Sequence, residues 1–211
     1  MINKELYRKC LTYDFETLFK KKGYAFFTNG IYNLNIIGIR SNNPSITNKF
    51  DDVLVVIYNT TMKKAFRKLF AITTEPGEYY MRKKLLSPLG TAILVPGQYR
   101  GCWKIGMHNG KYTALCQTKP VKVYRDGNKD DKYDMNPATI NTGIFGINIH
   151  RASAAWKPEN KNYNIDAYSA GCQVFESPID FSSFINLCNK QKAYYGNSFT
   201  YTLLNEEELN D

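Results

Sequence analysis

The sequence predicts a mostly-β domain of the α+β class, with one helix at the N-terminus and another near the C-terminus. Three observations lead there. Short runs rich in Val, Ile, Tyr, Phe and Thr recur along most of the chain. Turn pairs punctuate them at Pro76-Gly77, Pro96-Gly97 and Asn109-Gly110. Apolar residues at helical spacing are confined to two stretches near the ends.

In chain order, Leu6, Cys10, Leu11, Phe15, Leu18 and Phe19 recur at near-helical spacing, which predicts an amphipathic helix over 3–21. "KKKG" ends it, with positive charge in the last turn and Gly23 as the stop. "GIYNLNIIGIR" reads as a strand and "SNNPSITNKFDD" as a turn-rich loop. "VLVVIYN" is a strong strand, and "AFRKLFAITTEPG" a second that breaks at Pro76-Gly77. The stretch from Gly90 to Thr118 alternates strands with glycine-bearing turns. "VKVYRDGNKDDKYD" is a strand running into an acidic loop, and "TGIFGINIH" a single strand that ends on His150. "IDFSSFINLCNKQKAYY" predicts a helix, with Asp180 or Ser177 as N-cap and Phe181, Phe184, Ile185 and Leu187 facing inward. "SFTYTLL" is the last strand, and "NEEELND" a frayed acidic tail. Residues 1–50 are expected to form a helix-strand extension packed on a catalytic domain spanning 51–211.

The 211 residues are 43% hydrophobic and 22% charged, an ordinary globular balance. No apolar run approaches the roughly 20 residues that span a bilayer, and the N-terminal segment lacks the hydrophobic core of a secretory leader. Synthesis in the cytoplasm is therefore expected. Net charge is +9, dispersed with local clusters at "FKKKG", "MKKAFRK" and "MRKKLL". That balance favours a polyanionic partner but does not choose among nucleic acid, anionic lipid and cell-wall polymer. No nucleic-acid-binding motif is recognised. Five cysteines, scattered and without a C-x-x-C pair, suit neither a disulfide framework nor a structural zinc site. Asp126, Asn128, Asp130 and Asp134 sit at the alternate spacing of a calcium loop, but its glycine and closing Glu are missing. A solvated turn is the preferred reading, no metal or cofactor is expected, and calcium there stays open.

One stretch carries chemistry: "YSAGCQVF", downstream of "GINIHRAS". Cysteine attacks as thiolate, so a nucleophilic Cys172 needs a base nearby, and His150 and His108 are the chain's two imidazoles. His150 ends an apolar strand that can aim it rigidly. His108, beside an Asn-Gly turn, reads as a surface or cleft residue. Small residues before Cys172 permit a tight turn whose N–H groups point at a developing oxyanion. The polar loop 151–168 between them is expected to rim a substrate cleft.

His150, a polar loop and then Ser169-Ala170-Gly171-Cys172 resembles the signature of the L,D-transpeptidase (YkuD-like) domains, a histidine followed by Ser/Thr-His-Gly-Cys. "DDVLVVIYN", "FAITTEPG" and "LGTAILVPGQY" are similar to that family's upstream texture, so the resemblance covers roughly residues 50–190. It implies a YkuD-like β-sandwich or barrel-type catalytic domain. Two departures stand out: Ala170 replaces the motif's second His, and Gln173-Val174 follow the cysteine. This form looks like a bacteriophage-encoded branch.

The resemblance implies a cysteine peptidase or amidase that cleaves peptidoglycan stem peptides through a thioester. It would be a phage endolysin or virion-associated lysin that reaches the wall after release. In that scheme Cys172 is the nucleophile and His150 the base. The N–H groups of Gly171 and Cys172 are the oxyanion donors, and Ser169 orients the histidine or the turn. Arg151 would pair with a substrate carboxylate, while Tyr168 and Gln173 would line the cleft. An L,D-transpeptidase proper, or a non-catalytic wall-binding or virion structural module, is the alternative. A basic nucleic-acid-binding protein is the third reading.

Overall fold

The computed structural model describes residues 3–43, 45–60, 65–153 and 164–210. Lys63 and Lys64 of one basic cluster, and residues 154–163 of the expected cleft rim, lie outside them. The protein is α+β with strands predominant, and no described helix is long and apolar enough to cross a membrane. Eight strands close into a barrel. In chain order they are β1 (Asn35–Arg40), β2 (Asp52–Asn59), β3 (Ala65–Thr73), β5 (Gly97–His108), β6 (Tyr112–Gln117), β9 (Ile149–Arg151), β10 (Gln173–Phe175) and β11 (Phe199–Asn205). Around the barrel they run β1-β11-β5-β6-β9-β10-β3-β2. A second sheet of β4 (Thr91–Leu94), β7 (Val121–Asp126) and β8 (Asn141–Gly143) has the order β4-β7-β8.

"VLVVI" is continuously apolar because both faces of β2 are covered. Leu54, Val56 and Tyr58 join the main core with Ile36, Phe70, Trp103 and Tyr201. Val53, Val55 and Ile57 meet Leu6, Cys10, Phe15, Leu18 and Phe19 of the N-terminal helices in a second core. The expected boundary at residue 50 therefore falls between two paired strands of one closed sheet. Residues 35–40 belong to the barrel and are not an extension packed on it.

The single helix expected over 3–21 is two helices, α1 (Lys4–Thr12) and α2 (Phe15–Lys22). Tyr13 is extended, and the Asp14 carboxylate accepts from Thr17 N–H at 3.1 Å to cap α2, so a local polar bond outcompetes continuation. Arg67, in one of the basic clusters, donates to Cys10 O (2.7 Å) and Tyr13 O (2.8 Å) and so takes up carbonyls at the end of α1. Gly23 stops α2 at φ +69°. The C-terminal helix α3 (Pro178–Tyr195) is capped by Ser177, whose hydroxyl accepts from Asp180 N–H at 3.2 Å. Phe181, Phe184, Leu187 and Cys188 bury in the main core, where Phe175 stacks against both Phe181 and Phe184. The acidic tail is not frayed: Glu206–Leu209 form a 3-10 turn that buries Leu209.

The strand expected over 142–150 is also two elements. Gly146 at φ +73° turns the chain between β8 in the small sheet and β9 in the barrel. A buried side chain replaces the ladder that this bend gives up. Gln117 Oε1 accepts from Phe145 N–H (3.0 Å) and Ile147 N–H (2.9 Å), and its Nε2 donates to Gly143 O (2.9 Å). Trp103 Nε1 donates to Ile147 O at 2.7 Å from the core side.

A buried polar cluster ties the sheets together. Arg40 donates to Leu94 O (2.9 Å) and Thr74 Oγ1 (3.1 Å) and lies 3.6 Å from Glu75. The Asp52 carboxylate accepts from Ser41 N–H (2.7 Å) and Thr74 N–H (2.6 Å). Burial, and then the charge of Asp51, pushes the Asp52 carboxyl up to about 7. Burial, and then Asp52, raises Glu75 well above the usual range.

Folding raises both carboxyl pKa values, so the stability they contribute is fully present below the unfolded range near ~4 and is lost as pH rises through about 7. Urea midpoints should fall between pH 5 and pH 8, and Asp52→Asn should flatten that slope. The variant should also lose ~1–3 kcal/mol, because an amide oxygen serves only one of the two N–H donors. A midpoint that climbs over this range would show the opposite sign. Gln117→Leu, which strands two N–H groups and the carbonyls of Lys119 and Gly143, should cost on the order of 3 kcal/mol or more in the same titration.

Candidate active site

Cys172 is held by a turn braced by three hydrogen bonds. Ser169 Oγ donates to Cys172 O (2.9 Å) and accepts from Gly171 N–H (3.2 Å), while Gly77 N–H donates to Ser169 O (2.9 Å). Gly171 sits at φ +116°, and a Cβ there would lie 2.2 Å from Ala92 O of β4, so both conformation and space demand glycine. β10 follows at once and pairs in parallel with β9, Gln173 against Ile149 and Val174 against His150. Side chains alternate along a strand. Phe175 and Ile149 consequently enter the barrel core, while Val174 and Cys172 face outward beside Phe50, Ile165 and Ala152.

The outward face opens on a cavity of about 710 Å³ whose walls include Cys172, both histidines, Asn148, Tyr112, Arg151, Tyr168 and Ala170. Lys111, Arg125 and Arg151 line it and no Asp or Glu does, among the described residues. Its field therefore favours an anionic ligand. Arg125 lies over the Phe145 ring at 4.5 Å and Arg151 over the Tyr112 ring at 4.2 Å, which stiffens both guanidinium groups.

The thiol is half-buried. Its Sγ lies 3.3 Å from Gly146 O, to which it donates, and accepts from Asn148 N–H at 3.4 Å. Both partners belong to the bend that Gln117 holds. Burial pushes the Cys172 thiol up to about 11, against the lowering effect of the Asn148 N–H. His150 Nδ1 donates to Arg151 O at 2.9 Å, and Tyr112 Oη donates to the same carbonyl at 3.1 Å. A carbonyl only accepts, so Nδ1 carries the proton and Tyr112 Oη, 3.2 Å from it, does not donate to it; Nε2 keeps its lone pair, with no donor to it among the described residues. Burial, and then the neighbouring His108, lowers His150 to about 4. His108 stacks on it, ring centroids 4.1 Å apart and planes 21° off parallel, and is itself lowered by burial. Both imidazoles are neutral at neutral pH. No hydrogen bond joins Sγ to either ring among the described residues.

Cys172, His150, Arg151 and Tyr168 thus share one cavity, with Tyr168 45% exposed. Two expected roles are corrected, and the third, that of Ser169, is narrowed to the turn. Gln173 does not line the cleft: it is fully buried, and its amide oxygen accepts from Tyr201 Oη at 2.7 Å. Gly171 N–H is bound to Ser169 Oγ and is not free for an oxyanion, whereas Cys172 N–H has no acceptor among the described residues. Ser169 is buried and braces the turn; it does not orient the histidine. Sequence reasoning missed Asn148, Tyr112 and Gln117; of the two places it left open for His108, surface or cleft, the structure shows the cleft, with the ring stacked on His150. In the 126–134 loop, Asp126, Asp130 and Asp134 are bonded within the loop itself, and no three His, Cys, Asp or Glu side chains converge as a metal group among the described residues.

Compared with protein-family models, curated proteins and solved structures, the chain matches none.

Proposed function

We propose that this chain is a cysteine-dependent amide hydrolase whose substrates are the stem peptides of peptidoglycan. The observation that carries the reading is Cys172 at the wall of a roomy cavity, with a neutral imidazole on the same wall holding its Nε2 lone pair free. The stem-peptide assignment rests on the likeness of the His150 to Cys172 segment to YkuD-like domains. A cavity lined by three cationic side chains and, among the described residues, no carboxylate supports it, since a peptide with a free carboxylate would be drawn in.

The chemistry follows from neutral partners. The thiol swings about χ1 from Gly146 O toward His150, which takes its proton at Nε2 as Sγ bonds to the amide carbon. The tetrahedral oxyanion collapses, the C–N bond breaks, and the imidazolium returns a proton to the departing amine. Water then attacks the thioester, His150 again accepts the proton, and the thiol is regenerated as the acid product leaves. An amine in place of water gives transpeptidation. The missing Sγ–imidazole bond in the resting structure favours the second reading, a wall-binding module on the same scaffold.

Purified sacculi separate the two. Wild-type protein should release soluble muropeptides detectable by mass, Cys172→Ala should release none, and both should sediment with the wall. Sedimentation without release by the wild type leaves the binding module as the better account. The pH profile tests the neutral pair. A protonated imidazole accepts nothing, so the rate should fall as pH drops through about 4 and stay flat from pH 6 to 9, the thiol ionising only near 11. Limbs on either side of neutrality in the rate of muropeptide release would instead indicate a thiolate–imidazolium pair.

A further inference from the structure

The second histidine is held as tightly as the first, but in the opposite sense. Asn148 Oδ1 accepts the Gln117 backbone N–H at 2.9 Å, which fixes the orientation of the Asn148 amide. Its Nδ2 therefore faces His108 Nδ1, 3.1 Å away, and donates to it. A neutral imidazole that accepts at Nδ1 carries its proton on Nε2. Asn109 Nδ2 lies 3.2 Å from that nitrogen at the exposed tip of the hairpin, so the Nε2–H tautomer requires this amide to rotate its oxygen inward. A substrate oxygen entering the cavity can displace so exposed a partner. The stacked rings are thus a matched pair of opposite tautomers: His150 presents a lone pair, His108 an N–H.

We propose that His108 is a second catalytic residue, whose Nε2–H donates a hydrogen bond to the oxyanion formed when Cys172 attacks a carbonyl. The role follows from the loss of Gly171 N–H to Ser169, which leaves the Cys172 N–H short of a companion donor. Asn148 links the two halves of the machinery, since its side chain sets the His108 tautomer while its backbone N–H meets Sγ. No proton need change hands at His108. Its N–H is strongest where negative charge appears, on the carbonyl oxygen in the transition state.

The proposal rests on Cys172 being a nucleophile, and two reagents separate the ideas without the natural substrate. Iodoacetamide alkylates a thiol with no carbonyl oxyanion, whereas 4-nitrophenyl acetate acylates it through one. In folded protein, checked by thermal melting, His108→Phe keeps an aromatic ring but loses the donor. It should slow Cys172 acylation by roughly 10²–10³-fold and leave alkylation within about twofold. His108→Gln, which retains an N–H, should recover part of the acylation rate. Asn148→Asp, with the ring in place, puts an acceptor against Nδ1 and drives the proton there; acylation relative to alkylation should fall as in His108→Phe. Equal acylation in wild type and His108→Phe overturns the role of His108 while the nucleophile stands. Wild-type Cys172 inert to the ester, with Cys172→Ala indistinguishable from it, overturns both.

Discussion

The site depends on one buried amide. Where the chain leaves the small sheet after β8 and enters the barrel as β9, the backbone from Ile144 to Ile147 is paired with no strand among the described residues, and Gln117 stands in for one. Three hydrogen bonds from a single side chain fix the bend, and the Gln117 backbone N–H orients Asn148. Both hydrogen bonds of the candidate nucleophile's Sγ among the described residues go to backbone next to the segment this residue holds. Gly146 O and Asn148 N–H hold Sγ, and the Asn148 side chain sets His108. Buried polar networks of this kind are costly when half satisfied and specify a single conformation when complete.

The turn that carries Cys172 is pinned from the other side by different physics. Backbone oxygens of neighbouring segments approach where only glycine fits: Ala92 O at Gly171, and Asp166 O at 2.1 Å from where a Cβ of Gly77 would lie. Tyr201 crosses the barrel interior over Gly38, where a Cβ would lie 1.8 Å from its hydroxyl, and ends on Gln173. The residue after the cysteine is thereby anchored inside the barrel while the cysteine faces out. A rigid barrel wall thus presents the thiol, and only its χ1 is free to move.

Much of this was legible in sequence. The alternation of strand runs and Gly-bearing turns marked the β class, and the apolar run of β2 marked a strong strand. The Ser169 to Cys172 stretch, with His150 upstream, marked two walls of the cavity. What escaped notice lies in long-range pairing. His108 and Asn148 are 40 positions apart, and Gln117 and Ile147 are 30 apart; no local pattern signals either contact. The break at Gly146 was hidden because a glycine in an apolar run looks alike whether its φ is positive or negative. Gln173 was misassigned to the cleft although the two-residue period of a strand opposes it to Cys172.

Burial of both partners has a chemical consequence beyond geometry. A thiolate–imidazolium pair stabilises its charges by solvent or by a surrounding field, and this cavity wall supplies neither to His150, which is 5% exposed. The cationic lining works against a charged imidazole as well, since Arg151 adjoins it and depresses its basicity further. In the proposed reaction, charge separation is then deferred to the transition state, where the oxyanion and the imidazolium would appear together and neutralise one another. Two neutral imidazoles of opposite tautomer suit that task, because one accepts the proton where the other meets the charge it leaves behind.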